Sequence, residues 1–94
     1  MLKRVTPPAA KEIEERLRLN LGGNVRSLRI AAGLTQQGAA ERAAMHWRHW
    51  QKLERGVLNF TVRTLGRLAL ALGVDGEGLL CSPLPERISK RKGA

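Results

Sequence analysis

The side chains with the most chemistry to offer cluster between Ala44 and Gly56, in the run Met45-His-Trp-Arg-His-Trp-Gln-Lys-Leu-Glu-Arg55. If residues 46–55 form a helix, Trp47, Arg48, His49, Lys52 and Arg55 point outward and Trp50 and Leu53, three apart, point inward. An outward face that is basic and aromatic suits contact with phosphates and base edges. A guanidinium can bond bidentately to guanine O6 and N7, a contact contributing roughly 1–3 kcal/mol of discrimination. Arg48 and Lys52 are four apart and share that face. His46 and His49 are spaced as helical metal ligands can be, but no second ligand cluster exists and Cys81 is far away in sequence, so no metal is expected. A phosphate contact by His49 is the better reading.

Catalysis finds no support. No glycine-rich phosphate loop precedes a helix in a βαβ setting, and Cys81 has no neighbouring histidine in sequence. Glu12, Glu14 and Glu15 fall on a solvated face, where Glu12–Arg16 and Glu14–Arg18 are i,i+4 pairs contributing about 0.2–0.5 kcal/mol each. No cofactor is expected.

Positioning that basic face takes a short helix, a tight turn and a second short helix. Gly33 stops one helix and Thr35 caps the next, which runs from Gln36 to about Ala43 and offers the small residues Ala39, Ala40 and Ala43. A break near Ala44 to His46 follows, then a third helix from about His46 to Arg55, ended by Gly56. Two helices joined this tightly cross steeply, and the second can then project into a DNA major groove. Upstream, Ala9 to Leu21 reads as a helix with a narrow stripe of Ile13, Leu17 and Leu21. Val25, Leu28 and Ala32 continue a face up to Gly33. Gly22-Gly23 weakens the helix by about 1 kcal/mol per glycine, so a break or bend is expected there, with Asn24 capping a fresh start. Downstream, Thr61 or Asn59 caps a fourth helix through Leu72, whose apolar positions are Val62, Leu65, Leu68, Ala69 and Leu72. Gly73 stops it, and Asp75 caps a last short helix carrying Leu79 and Leu80. No stretch sustains period-two alternation, so no sheet is expected.

The 94 residues suit one domain with a small core, which dimerisation would help stabilise. Lys and Arg number 17 against 8 Asp and Glu, a net charge of +9, which favours a polyanionic partner, nucleic acid before an acidic membrane surface. The charge is spread: residues 1–20 carry +2, residues 21–82 carry +4 and residues 83–94 carry +3. The chain divides accordingly into an N-terminal arm and extra helix (1–20), the main domain (21–82) and a basic tail (83–94) expected to be disordered. One cysteine fits a reducing, cytoplasmic setting. No apolar run approaches the ~20 residues of a membrane span, and no apolar segment follows Met1-Leu-Lys-Arg, so neither a membrane anchor nor a signal peptide is expected.

From Leu21 to Leu80 the chain resembles the helix-turn-helix family of Cro and the phage repressors, often called XRE. Val25-Arg-Ser-Leu-Arg-Ile-Ala-Ala-Gly-Leu-Thr-Gln36 looks like the first helix and the start of the second. Ala39-Ala40 stands where Leu-Ala is usual. Gln51-Lys-Leu-Glu-Arg-Gly56 looks like the end of the recognition helix, and Thr64-Leu-Gly-Arg-Leu-Ala-Leu-Ala-Leu-Gly-Val74 like the fourth helix and its turn. Three departures stand out. Ala44 occupies a turn position where the family often has glycine. Trp50 replaces a smaller aliphatic, a volume that the alanines of the second helix can offset. Trp47 stands where a small polar residue is usual.

The resemblance implies an all-α, five-helix, repressor-like fold with an additional N-terminal helix. It implies a sequence-specific regulator that binds double-stranded DNA, as a homodimer, with half-sites roughly 34–36 Å apart. The DNA-contacting set it implies is Thr35, Gln36 and Gln37 at the start of the second helix, His46, Trp47, Arg48, His49, Lys52 and Arg55 on the third, and Arg63 at the start of the fourth. Arg67 flanks the same interface. Arg29 and Glu54 match a family pair that bridges the first and third helices. Val74, Leu79 and Leu80 fall in the family's usual dimer region, with the N-terminal helix a second candidate. Two other readings stand beside this one: an antitoxin that also binds its own promoter and has a toxin protein as partner, and an adaptor that reuses the fold to bind protein or RNA.

Overall fold

The computed structural model describes residues 7–81, and all the regular structure among them is helical. Its elements are α1 (Pro7–Ala31), α2 (Gln36–Arg42), α3 (Trp47–Glu54), α4 (Val62–Leu72) and a closing 3₁₀ turn (Glu77–Leu80). The basic tail lies outside the described residues.

The N-terminal ends of α2, α3 and α4 are capped by side chains. Thr35 Oγ1 accepts from the Gly38 amide, His46 Nδ1 from the Arg48 amide and Thr61 Oγ1 from the Thr64 amide, each satisfying one amide that a helix start leaves without a partner. Thr61, not Asn59, therefore starts α4. Asp75 does not cap the last turn, since Gly76 stands at that position with no side-chain bond.

The C-terminal ends share a second device. Beyond each helix one residue takes positive φ, and the next amide bonds back to a carbonyl five residues earlier: Leu34 to Arg29, Met45 to Ala40, Val57 to Lys52 and Val74 to Ala69. This closure favours glycine, and Gly33, Gly56 and Gly73 supply it, while Ala44 adopts φ 55° without being glycine. The tight turn between α2 and α3 is thus made at some cost in backbone strain.

The expected break at Gly22-Gly23 does not occur. α1 runs unbroken through 25 residues, so the additional N-terminal helix and the first helix of the domain are one rod. Gly22 is buried against the end of α3: a Cβ there would collide with the carbonyl oxygen of Leu53 and come within 2.9 Å of that of Glu54. The glycine permits a close crossing of α1 and α3, and tertiary packing outweighs its poor helix propensity. Asn24 starts no helix. It is buried mid-helix and donates from Nδ2 to the carbonyls of Leu79 and Cys81, and Asn20 donates likewise to Leu80. The two amides fasten the closing turn to α1.

The core gathers Leu21 and Val25 from α1, Ala39 and Ala40 from α2, Ala43 just after it, Trp50 and Leu53 from α3, Leu68 from α4, then Val74 and Leu79. Trp50 is wholly buried beside the three alanines, so one large ring occupies the space that small neighbours leave. Val62, assigned to the apolar face of α4, is instead 86% exposed; it begins the helix and overhangs the body. Ile13 and Leu17 also stand exposed on the N-terminal half of α1, which reaches past the core.

Candidate nucleic-acid interface

α3 is amphipathic in the narrow sense that matters for a surface helix. Trp50 and Leu53 are buried, while Trp47, Arg48, His49 and Lys52 are exposed, as is Arg55 just beyond the helix. The outward set therefore shares one solvent face. At its leading end the side chains order one another. The His46 and Trp47 rings stack with centroids 6.1 Å apart, and the Arg48 guanidinium lies 5.6 Å from the centre of the Trp47 ring, within cation–π range. His46 and His49 meet edge to face at 6.2 Å. His46 Nδ1 accepts the Arg48 amide at 3.1 Å, which ties the imidazole to the backbone at the helix start.

What aims this face is the carboxylate of Glu54. Arg29 donates to it twice, Nε to Oε2 at 2.5 Å and Nη2 to Oε1 at 3.1 Å, with side-chain exposures of 13% and 4%. The Trp50 indole N–H donates to Oε2 and Gln36 Nε2 donates to Oε1 at 3.1 Å. Arg29 Nη1 also reaches the Leu34 carbonyl at 2.9 Å. One carboxylate thus joins α1, α2 and α3, and every buried polar side-chain atom among the described residues has a partner. Burial alone would push the Glu54 carboxyl upward. The bonds from Arg29, Trp50 and Gln36, with the Arg29 charge, outweigh it and hold the group below the ordinary glutamate range. The Glu54 bond in turn raises Arg29, against the opposing effect of burial.

The remaining site residues fall in three groups. Thr35 is occupied as the α2 cap, Gln37 is exposed beside it, and Gln36 is half-buried with its amide nitrogen turned to Glu54. Arg63 and Arg67 are exposed on α4. Val74 and Leu79, assigned to a dimer surface, are 4% and 0% exposed and complete this chain's own core. Leu79 has no exposed surface, while Val74 still edges a groove that it lines with the partly buried Leu80 and with Val62, Leu65 and Ala69.

Three contributors were not singled out from the sequence. Gln51 donates to Gln36 Oε1 at 3.5 Å, and Arg26 joins Gln36, Gln51, Glu54 and Arg55 around a polar cleft beside α3. Arg26 lies three before Arg29, one helical turn away on the same side of α1, which is the signal that could have found it. The third is the Trp50 N–H, since a buried indole requires an acceptor, and Glu54 four residues on is within reach. Among the described residues no cluster of three His, Cys, Asp or Glu could hold a metal ion. No described helix is long and apolar enough to cross a membrane.

Residues 20–80 match the model of a helix-turn-helix domain family. The chain is 43% identical over 59 residues, 63% of its length, to an uncharacterised HTH-type transcriptional regulator, y4dJ, of Sinorhizobium fredii, of which the match covers 77%. Its fold resembles the crystal structure of a hypothetical transcription factor, NHTF, from Neisseria. There the TM-score is 0.70 at 30% identity, over 74% of this chain and 79% of that one.

Proposed function

Because the chain belongs to the helix-turn-helix domain family, we propose that it is a DNA-binding transcriptional regulator, not an enzyme, which reads the major groove with α3. One observation carries the reading. The exposed side of α3 is the basic and aromatic side, and its opposite side is locked to α1 and α2 through Glu54. A helix that must insert into a groove needs its approach angle fixed before binding, since ordering it afterwards would weaken the complex. Arg48 and Lys52 read bases. Gln37, His49, Arg55 and Arg63 bond to phosphates, which position the protein without carrying sequence information.

The regulator acts as a homodimer in the cytoplasm. With Leu79 consumed by the core, the contact between copies falls to the apolar groove that Val62, Val74 and Leu80 line and to the exposed Leu70 on α4. Selection of bound sequences from random duplex DNA at about 150 mM salt should return one preferred site, the salt being fixed because phosphate contacts depend on it. On that site Arg48→Ala and Lys52→Ala should each cost about 1–3 kcal/mol, and far less on random DNA. Equal losses on both would reduce the two residues to phosphate contacts. Sedimentation of the complex tests assembly: one folded monomer bound to one half-site with full affinity would sink the dimer.

A further inference from the structure

Trp47 is an anomaly on the face just described. It is the first residue of α3 and 39% exposed, and its indole is surrounded by hydrophilic groups: His46 stacked on it, Arg48 over its ring, His49 and Lys52 further along the helix. A large apolar surface left in water loses the free energy that burial would return. Here the ring is also held in place, by His46 on a backbone-fixed cap and by the Arg48 cation. An exposed, ordered aromatic needs an apolar partner.

In helix-turn-helix docking the N-terminal residues of the recognition helix are the ones that meet base edges. The major-groove edge of DNA is polar but for one group, the C5-methyl of thymine, which accepts apolar contact. Resting on the DNA-binding reading above, we propose that Trp47 is a specificity-determining residue whose ring packs on a thymine methyl. Trp47 and Arg48 then read neighbouring bases as a unit. The ring covers the methyl and the guanidinium, kept beside that ring, donates to the guanine next to it. The recognised step is a thymine adjacent to a guanine. 5-Methylcytosine presents the same methyl at the same ring position and can stand in for the thymine contact.

The test uses the unaltered protein and the site returned by selection. Each thymine is replaced in turn by deoxyuridine, which removes the methyl and leaves base pairing and every hydrogen-bonding group in place. At one thymine per half-site the affinity should fall about fourfold, the effect of burying one methyl group. The same replacement should leave Trp47→Ala unaffected, and 5-methylcytosine paired with guanine at that position should bind the unaltered protein more tightly than cytosine does. Circular dichroism checks that Trp47→Ala is folded. Affinity indifferent to every deoxyuridine overturns the proposal, as does equal sensitivity in Trp47→Ala, which would assign the methyl contact to another residue. Failure of the underlying reading is a different result: selection returns no preferred sequence at all.

Discussion

Glu54 is the residue on which the geometry turns. Its carboxylate has partners on three helices, and removing one member of such a buried pair leaves the other uncompensated, at a cost of about 3–5 kcal/mol. Its depressed pKa fixes the sign of the pH dependence. The stabilisation is fully present above the unfolded glutamate value of about 4.3 and is lost as pH falls toward the folded value. Chemical denaturation across pH 2–6, a range of about four units, should show the unaltered protein losing stability on the acid side. Glu54→Gln should be less stable near neutrality and flatter through that range. An identical acid slope in the two proteins would exclude Glu54 as its source. The sequence showed Trp50 as inward-facing but not its N–H bond, because a hydrophobic pattern records which side a residue faces and not which polar atom finds a partner there.

At the scale of elements, the two central glycines of α1 have opposite roles. Gly22 sits where a Cβ would strike the backbone of α3, and Gly23 faces open space with nothing within 4 Å. Gly23→Ala should stabilise the domain by about 1 kcal/mol through helix propensity. Gly22→Ala should destabilise it by about 1–3 kcal/mol despite the same propensity gain, since the helices must part. Thermal melts of the two variants decide the matter, and a stabilised Gly22→Ala would mean that the crossing is looser than described. Ala44→Gly should raise stability by up to about 1 kcal/mol by relieving the positive φ. Helix existence and caps were legible because Thr35, Thr61, Gly33, Gly56 and Gly73 act locally. The continuity of α1 was not, because a glycine pair has one local meaning, weakness, and only the neighbouring helix shows that Gly22 is a point of contact.

For the molecule as a whole, the complete burial of Leu79 changes how assembly must be probed. Leu79→Asp would place an unpaired carboxylate in the core, and the lost apolar burial alone costs about 2–5 kcal/mol. Against a total of about 5–15 kcal/mol, loss of folding is the expected outcome, seen by circular dichroism. Leu70→Asp, at a position 72% exposed, should shift stability by no more than about 0.5 kcal/mol and so can report on association without unfolding the chain. A cooperative, near-normal melt for Leu79→Asp would contradict the packing described. The core was largely legible from periodicity. The dimer residues were not, because an apolar residue in a closing turn reads alike whether it faces its own core or a neighbour's.

The division between Glu54 and the face it aims has a consequence for inheritance. Arg29, Gln36, Trp50 and Glu54 constrain one another, so a change at any one of them disturbs the rest. Trp47, Arg48, His49 and Lys52 have exposed side chains that take no part in that network. A substitution in the second set therefore leaves the first intact, whereas a change in the first must be compensated within it. If α3 reads DNA as proposed, a new preferred site needs only the four outward residues rewritten on an unchanged frame, and grafting another regulator's outward residues onto α3 is the laboratory form of that step.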